Sequence, residues 1–411
     1  MHISLKNFKS LNLYEWILMF YPFSLFNPTI INILLFLTSF IFLYEIIKKK
    51  EFNFLNMTWV YIYTIFFFYN VFNSFFATDY FNALKSSIFQ FKFLFFSFFI
   101  FICIRNCKNL NFIIKIWAIL LLLVSLDGIY QYFFFTDIFN FSRGESRLTG
   151  PFGKRAVIGG YLAIISIPII FYYFCKFNNY NFSKKIILLI AYLILLCTIT
   201  LSGERLSLII FVFSSILMFA FYTNVKKLLT CLVSFFFIFL LFFIFNPTFN
   251  NRITDFINIL SNFYESSYGR LYESSFLLFQ KYPFFGVGFK NYRVDCNTQF
   301  DPRPDSEFQF CSTHPHNLYL ELLSESGIVG FFLFILVFYY FFLYVKREIK
   351  KNRNKNFFPQ FTNLMYGHLL IIFIYLFPLK TSGSFFTTYN ASFFWFSVGF
   401  VLLILKRESN K

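Results

Sequence analysis

The sequence predicts an all-α polytopic membrane protein with about twelve transmembrane helices. Composition and the spacing of apolar runs carry that expectation. Of 411 residues, 58% are apolar and only 13% charged, against roughly 45–50% and about 25% in a soluble domain. Mean hydropathy is +0.63. A water-soluble chain of this length would form about two or three domains. With 74 Phe and 27 Tyr, too few polar side chains remain to cover them.

A bilayer core needs about 20 apolar residues per helix. Runs of that kind, cut by polar punctuation, fall at 11–26, 28–47, 55–76, 84–104, 111–135 and 156–174, then at 186–201, 204–222, 228–246, 317–345, 364–380 and 385–405. The first is short, and Pro22 and Pro28 blur its border with the second. Lys6 and Lys9 precede an apolar run with no small-residue cleavage site, so that run is expected to be a span and not a cleaved signal.

The basic residues test this register. Lys48-Lys49-Lys50, Arg105 with Lys108, Lys176 with Lys184-Lys185, Lys226-Lys227, the run from Lys346-Arg347 to Lys355, and both chain ends all fall in alternate loops. The positive-inside rule assigns those loops to the cytoplasm. The same rule, with anionic lipid as partner, accounts for much of the net charge of +17, which on a soluble chain would suggest nucleic acid. Three regions follow: 1–246 with nine spans and a short outer loop at 136–155, a large outer loop at 247–316, and 317–411 with three spans and a cytoplasmic tail. The large loop has helix-like stretches at Arg252–Phe263 and Gly269–Gln280 and is too small for an independent core.

The outer face carries charge that topology does not require. Eight of the twelve Arg lie there: Arg143, Arg147, Arg155, Arg205, Arg252, Arg270, Arg293 and Arg303. Arg presents a planar fork of donors suited to bidentate phosphate binding. The plain alternative is headgroup contacts and loop salt bridges; as a set, these residues point to an anionic substrate. Outer acids are scattered. Asp301 and Asp305 stand in Asp-Pro-Arg-Pro-Asp, where prolines hold the chain extended, so no metal pair emerges. No Gly-rich loop with Lys-Ser/Thr marks a nucleotide-driven pump. Cys296 and Cys311 are the two Cys of the large outer loop, and in an oxidising compartment such thiols tend to pair. A metal site is the alternative, with His314 and His316 as the only near ligands.

Histidine is scarce: His2, His314, His316 and His368. Two of the four lie in Thr313-His314-Pro315-His316-Asn317, where the outer loop re-enters the membrane. An imidazole there can accept a proton near neutral pH; otherwise the pair simply stabilises a loop end. Asn317 can cap the following helix. Gly327 and Gly330, three apart, are expected on one helix face, permitting close helix contact.

His316-Asn317, nine residues and then Gly327-x-x-Gly330 resembles the signature of the O-antigen ligase and polymerase superfamily. Other pieces stand in the family's order: Arg147-Leu-Thr-Gly-Pro-Phe-Gly153, Ser202-Gly203-Glu204-Arg205, Gly269-Arg270 leading to Tyr282-Pro-Phe-Phe-Gly-Val-Gly-Phe-Lys-Asn291, and Ser382-Gly-Ser-Phe-Phe-Thr-Thr-Tyr389. The likeness covers about residues 125–405. It implies a C-type membrane glycosyltransferase with a periplasmic active site and both termini cytoplasmic, in the bacterial inner membrane. The implied donor is a glycan on undecaprenyl pyrophosphate, and the chemistry needs neither nucleotide nor cofactor. A ligase moves the glycan to lipid A-core, and a polymerase extends the chain. The form of the histidine motif favours the ligase. By resemblance His316 is the base that activates the acceptor hydroxyl, while Arg205 and Arg270 bind the pyrophosphate.

Physical chemistry agrees with those roles. Displacing a sugar from a lipid pyrophosphate builds negative charge on the leaving phosphate, which fixed guanidiniums stabilise best where water is excluded. Arg205 closes a short outer turn between two spans. Arg147, Arg155, Lys290 and Arg293 are further candidates for the diphosphate or for anionic groups of the acceptor. His314 is the rival base, and Pro315 is expected to point the two imidazoles apart. A lipid-linked oligosaccharide flippase is the competing class. It would line an intramembrane cavity with charge, yet Lys92 and Lys115 are nearly the only basic residues within spans.

Overall fold

The computed structural model describes residues 8–50, 52–103, 107–144, 147–222, 247–300, 310–352, 359–381 and 383–409. Among these residues the regular structure is helical, with one isolated antiparallel bridge between Thr136 and Ser142. The helices are α1 Leu13–Ser24, α2 Pro28–Lys49, α3 Thr58–Asn73, α4 Tyr80–Ile88, α5 Phe91–Cys103, α6 Leu110–Phe134, α7 Ile158–Phe174 and α8 Phe182–Leu201. They continue with α9 Arg205–Tyr222, α10 Pro247–Ser261, α11 Ser267–Lys281, α12 Tyr292–Gln299, α13 Leu318–Asn352, α14 Pro359–Tyr375 and α15 Thr388–Ser409.

Among the described residues, six helical stretches are long and apolar enough to cross a membrane: Pro28–Lys49, Tyr80–Ile102, Leu110–Phe134, Phe182–Leu201, Leu318–Lys351 and Thr388–Lys406. The apolar helices Ile158–Phe174, Arg205–Phe221 and Phe361–Tyr375 are shorter. On α2 the exposed side chains Ile30, Ile33, Leu37, Phe40, Tyr44 and Ile47 recur at intervals of three and four, which makes one apolar stripe suited to lipid. The expected ninth span at 228–246, with Lys226, Lys227 and Cys231, lies outside the described residues, as do Arg303 and the rest of 301–309.

The chain divides into two compact units. The first comprises Met1–Leu34, Ile100–Thr254 and Asn356–Ile374. Its centre is α7, where nearly every residue from Ile158 to Phe174 is buried. Small residues let neighbours close on each other: a Cβ on Gly367 would stand 2.5 Å from Pro168 Cα, and one on Gly128 2.7 Å from Thr198 Cγ2. Thr198 Oγ1 also donates to Ser125 O at 3.0 Å, tying α8 to α6. Asn12 and Glu15 form a reciprocal capping box at the start of α1.

The second unit comprises Leu35–Phe99, Asp255–Lys355 and Tyr375–Lys411. Helix α15 is buried from Ser392 through Leu405. Its Phe394 and Trp395 meet Phe338 of α13 edge-on or tilted at 5.1 and 6.4 Å, and Trp395 meets Tyr63 of α3 at 5.0 Å. Aromatic pairs of this kind add about 0.5–1.5 kcal/mol each beyond burial.

Helix α13 breaks at Gly327, whose φ of 62° and ψ of −170° are not helical. The glycine therefore does not lie beside Gly330 on a helix face, as its spacing suggests. A Cβ there would stand 2.3 Å from Phe284 O. The break lets the 282–290 segment run alongside α13: Val287 N–H donates to Ser324 O and Gly288 N–H to Glu325 O, both at 2.9 Å, while Ile328 N–H donates to Pro283 O at 2.9 Å.

Candidate functional site

In the second unit the segment before α13 is built on α11 and α12. Ser266 caps α11, its hydroxyl accepting from Gly269 N–H at 3.2 Å. Gly269 is required because a Cβ would stand 2.0 Å from Phe263 O. Arg270, the next residue, pairs with Glu265 at 2.5 Å and Glu273 at 3.4 Å. Both acids are well exposed, at 73% and 41%. Pairs with carboxylates so exposed contribute about 0–1 kcal/mol.

Cys296 of α12 and Cys311 are joined in a disulfide with Cα atoms 5.7 Å apart. These sulfurs are therefore not metal ligands. Leu278, Val287, Tyr292 and Cys296 form a small apolar cluster with Phe300 and Cys311 against it. The disulfide thus anchors the chain two residues before Thr313.

From there the chain turns sharply into the membrane helix. Asn317 caps α13: its Oδ1 accepts from Tyr319 N–H at 2.9 Å and Leu320 N–H at 3.2 Å, while its Nδ2 donates to Pro378 O at 2.8 Å. His316, just before the cap, has φ of 56°. A left-handed conformation outside glycine costs energy and recurs at functional sites. Pro315 does not send the two histidines apart. The left-handed turn at His316 brings the rings back to a centroid separation of 4.1 Å at 45°, and Tyr268 meets His316 edge-on at 5.9 Å.

His314 Nδ1 lies 2.8 Å from Thr313 Oγ1, and its Nε2 is buried without a hydrogen-bond partner. Burial, aided by His316, holds His314 down at about 4 from an ordinary 6.5. Lys290 and Arg293 act in the same direction, and Glu321 opposes them. The structure thus brings His314, His316, Lys290 and Arg293 into one electrostatic neighbourhood. Arg293 is exposed on α12. Lys290 is not: its Nζ is 2.7 Å from Oε1 of buried Glu321 and also meets Ser384.

In the first unit Arg205 opens α9 directly after the Ser202–Glu204 turn. Glu204 fixes that turn. Its Oε1 accepts from Gly159 N–H at 2.9 Å and its Oε2 from Gly160 N–H at 3.0 Å, at the start of α7, and Ser207 Oγ donates to it at 2.9 Å. A carboxylate is favoured at a helix N-terminus. Burial pushes its pKa up, while Ser207, the two amides and Arg147 act against that rise. Leu148 N–H donates to Ser202 O at 3.2 Å, so the exposed Arg147 is held beside the same turn. Arg155 is differently occupied: its Nη2 donates to Phe26 O at 2.6 Å and Leu25 O at 3.3 Å, which caps the end of α1.

Sequence reasoning missed Glu204, Glu321 and Glu325 as site builders. Their partners lie 45, 31 and 35 residues away, beyond any local pattern.

Residues 190–335 match the family model described as O-antigen ligase. The matched stretch holds Arg205, Arg270, Lys290, Arg293, His314 and His316, and leaves out Arg147 and Arg155. No curated protein matches the chain. With its apolar helices the chain is a multi-pass membrane protein, and its matched stretch is similar to the O-antigen ligase family.

Proposed function

We propose that the protein transfers a glycan from undecaprenyl pyrophosphate to lipid A-core at the periplasmic face of the bacterial inner membrane, with both termini cytoplasmic. The superfamily supplies the coarse assignment: a glycosyltransferase-like enzyme acting on a lipid-linked glycan and a lipid acceptor. The observation that carries the finer reading is the corner at His316. There a titratable ring in a left-handed backbone stands immediately before a capped helix, inside the matched segment.

In this reading His316 accepts the proton of the acceptor hydroxyl as that oxygen forms its bond to the anomeric carbon. The bond from that carbon to the pyrophosphate oxygen breaks, and undecaprenyl pyrophosphate leaves. Arg205 and Arg270 hold the pyrophosphate as its charge grows. Arg147 and Arg293 serve the diphosphate or the anionic groups of the acceptor, and Arg155 joins them only if it exchanges the carbonyls of Leu25 and Phe26 for the anion. Residues 247–316 form the outer segment, between membrane regions 1–246 and 317–411.

The deciding experiment is the glycolipid profile of a deletion strain. Uncapped lipid A-core with free polymer accumulating on the carrier supports the ligase. Lipid A-core capped by single repeat units makes the protein a polymerase instead. A glycan trapped on the cytoplasmic leaflet makes it a flippase.

A further inference from the structure

By charge and position Lys290 stands among the candidate phosphate ligands, but its surroundings give it another task. The ammonium is 2.7 Å from Glu321 Oε1 and shares Ser384 Oγ with that carboxylate. Glu321 Oε2 accepts from Phe385 N–H at 3.1 Å. The backbone N–H of Lys290 donates to Glu325 Oε2 at 2.8 Å. Glu321 and Glu325 are each 2% exposed. The ammonium of Lys290 therefore pairs with one buried carboxylate while the backbone of the same residue holds a second, and the rings of Phe289 and Phe386 lie 5.8 and 5.6 Å from the ammonium.

This network joins three segments at one point: the 282–290 run, the first turns of α13 and the Ser384–Phe385 turn before α15. Glu321 is one helical turn from the cap, and its N–H donates to Asn317 O at 2.9 Å. Whatever holds Glu321 therefore holds Asn317 and, through it, the backbone of His316. Lys290 also has φ of 63°. An anion ligand needs a free donor facing the ligand, and here the donor is turned inward.

We propose that Glu321 and Lys290 are positioning residues: a buried ion pair that fixes the corner carrying His314 and His316, with Lys290 as internal counter-ion and not as a ligand of the donor pyrophosphate. The inference rests on the reading of His316 as base. Removing one member of a buried pair leaves the other charge uncompensated, whereas removing both is far better tolerated. That asymmetry separates the two roles of Lys290.

The test is a double-mutant cycle on the full-length protein in detergent, comparing Glu321→Gln, Lys290→Met and the double variant. Thermal unfolding is read together with kcat and KM for the lipid-linked glycan. Each single variant is expected to lower Tm and to cost on the order of 10²-fold in kcat, as misplacement by about 1 Å does. KM for the donor should move less than about threefold. The double variant should be no worse than the milder single in Tm and kcat. A Lys290→Met that raises donor KM by about tenfold or more at unchanged Tm would establish the phosphate-ligand role and overturn the proposal. Losses in the two singles that multiply in the double, or a double that fails to fold, would overturn it as well. Absence of transfer by wild-type protein would instead refute the glycosyltransferase reading, and the Tm cycle would still report whether the pair is coupled.

Discussion

His314 and His316 face each other across Pro315 with ring centroids 4.1 Å apart. Two imidazoles at that separation do not both charge readily, and the burial of His314 decides which stays neutral.

A pH dependence of stability follows. His314 is held at about 4 in the folded protein, against an ordinary 6.5. Between those values the unfolded chain binds the proton and the folded chain does not. Stability is therefore full above about 6.5, falls as pH is lowered through that window, and levels off below about 4. Thermal unfolding in detergent from pH 7.5 to pH 4.5, with both values taken as about the limits set by ordinary His titration, should show the decline. His314→Gln, which cannot titrate, should flatten it. An unchanged slope in that variant would assign the dependence to other groups.

Gly327→Ala should be severely destabilising. The backbone there has φ of 62°, and a Cβ would stand 2.3 Å from Phe284 O. Strain of this kind costs about 1–3 kcal/mol before any overlap is counted. Gly330→Ala should also destabilise, since its Cβ would stand 2.3 Å from Ser326 Cβ, but by less, because φ there is ordinary and no backbone strain is added. Comparing the two Tm values checks the order.

Reduction should loosen the outer segment. The Cys296–Cys311 bond closes a loop of 15 residues, and chain entropy assigns about 3 kcal/mol to a loop of that size. Cys296→Ser/Cys311→Ser is expected to lower Tm and quicken proteolysis near Thr313. Peptide mapping of wild-type protein without reductant should recover the two cysteines linked.

Much of the helical architecture was legible because long apolar runs leave a membrane chain few alternatives. The helix cap at Asn317 was legible for a similar reason: a short polar side chain just before an apolar run has few other uses. The break at Gly327 was not. Two glycines three apart satisfy helix-face spacing, and only the approach of Phe284 shows that one of them has left the helix. Pro315 misled likewise, since the turn that reunites the rings lies in the φ of His316 and not in the proline. For Lys290 the sequence records the charge but not the carboxylates of Glu321 and Glu325, which lie more than thirty residues along the chain.

Topology can be checked directly. Reporters fused after Lys227 or Lys351 should read cytoplasmic and one fused after Pro304 periplasmic, because Lys is concentrated in alternate loops. A periplasmic signal at Lys351 would change the number of spans before α13 by one.

The chemistry is tested at two residues, His316 and Arg205, whose alanine variants are expected to insert and fold normally. His316→Ala should abolish glycan transfer, since loss of a general base costs about 10²–10⁴-fold. The proton taken from the acceptor hydroxyl has no equivalent destination in His314, whose Nε2 is buried without a partner and whose pKa is held at about 4. His314→Ala should therefore cost less. Arg205→Ala should also abolish transfer. Arg205→Lys should be nearly as damaging, because a point charge on a flexible stem loses the two-pronged contact with phosphate. The turn before Arg205 is clamped by Glu204 at 2.9 and 3.0 Å onto the amides that open α7, so a lysine side chain there cannot recover the geometry by moving the backbone. Transfer should persist in EDTA if guanidiniums alone stabilise the leaving pyrophosphate. Wild-type rates in His316→Ala, or an absolute need for a divalent cation, would refute this mechanism.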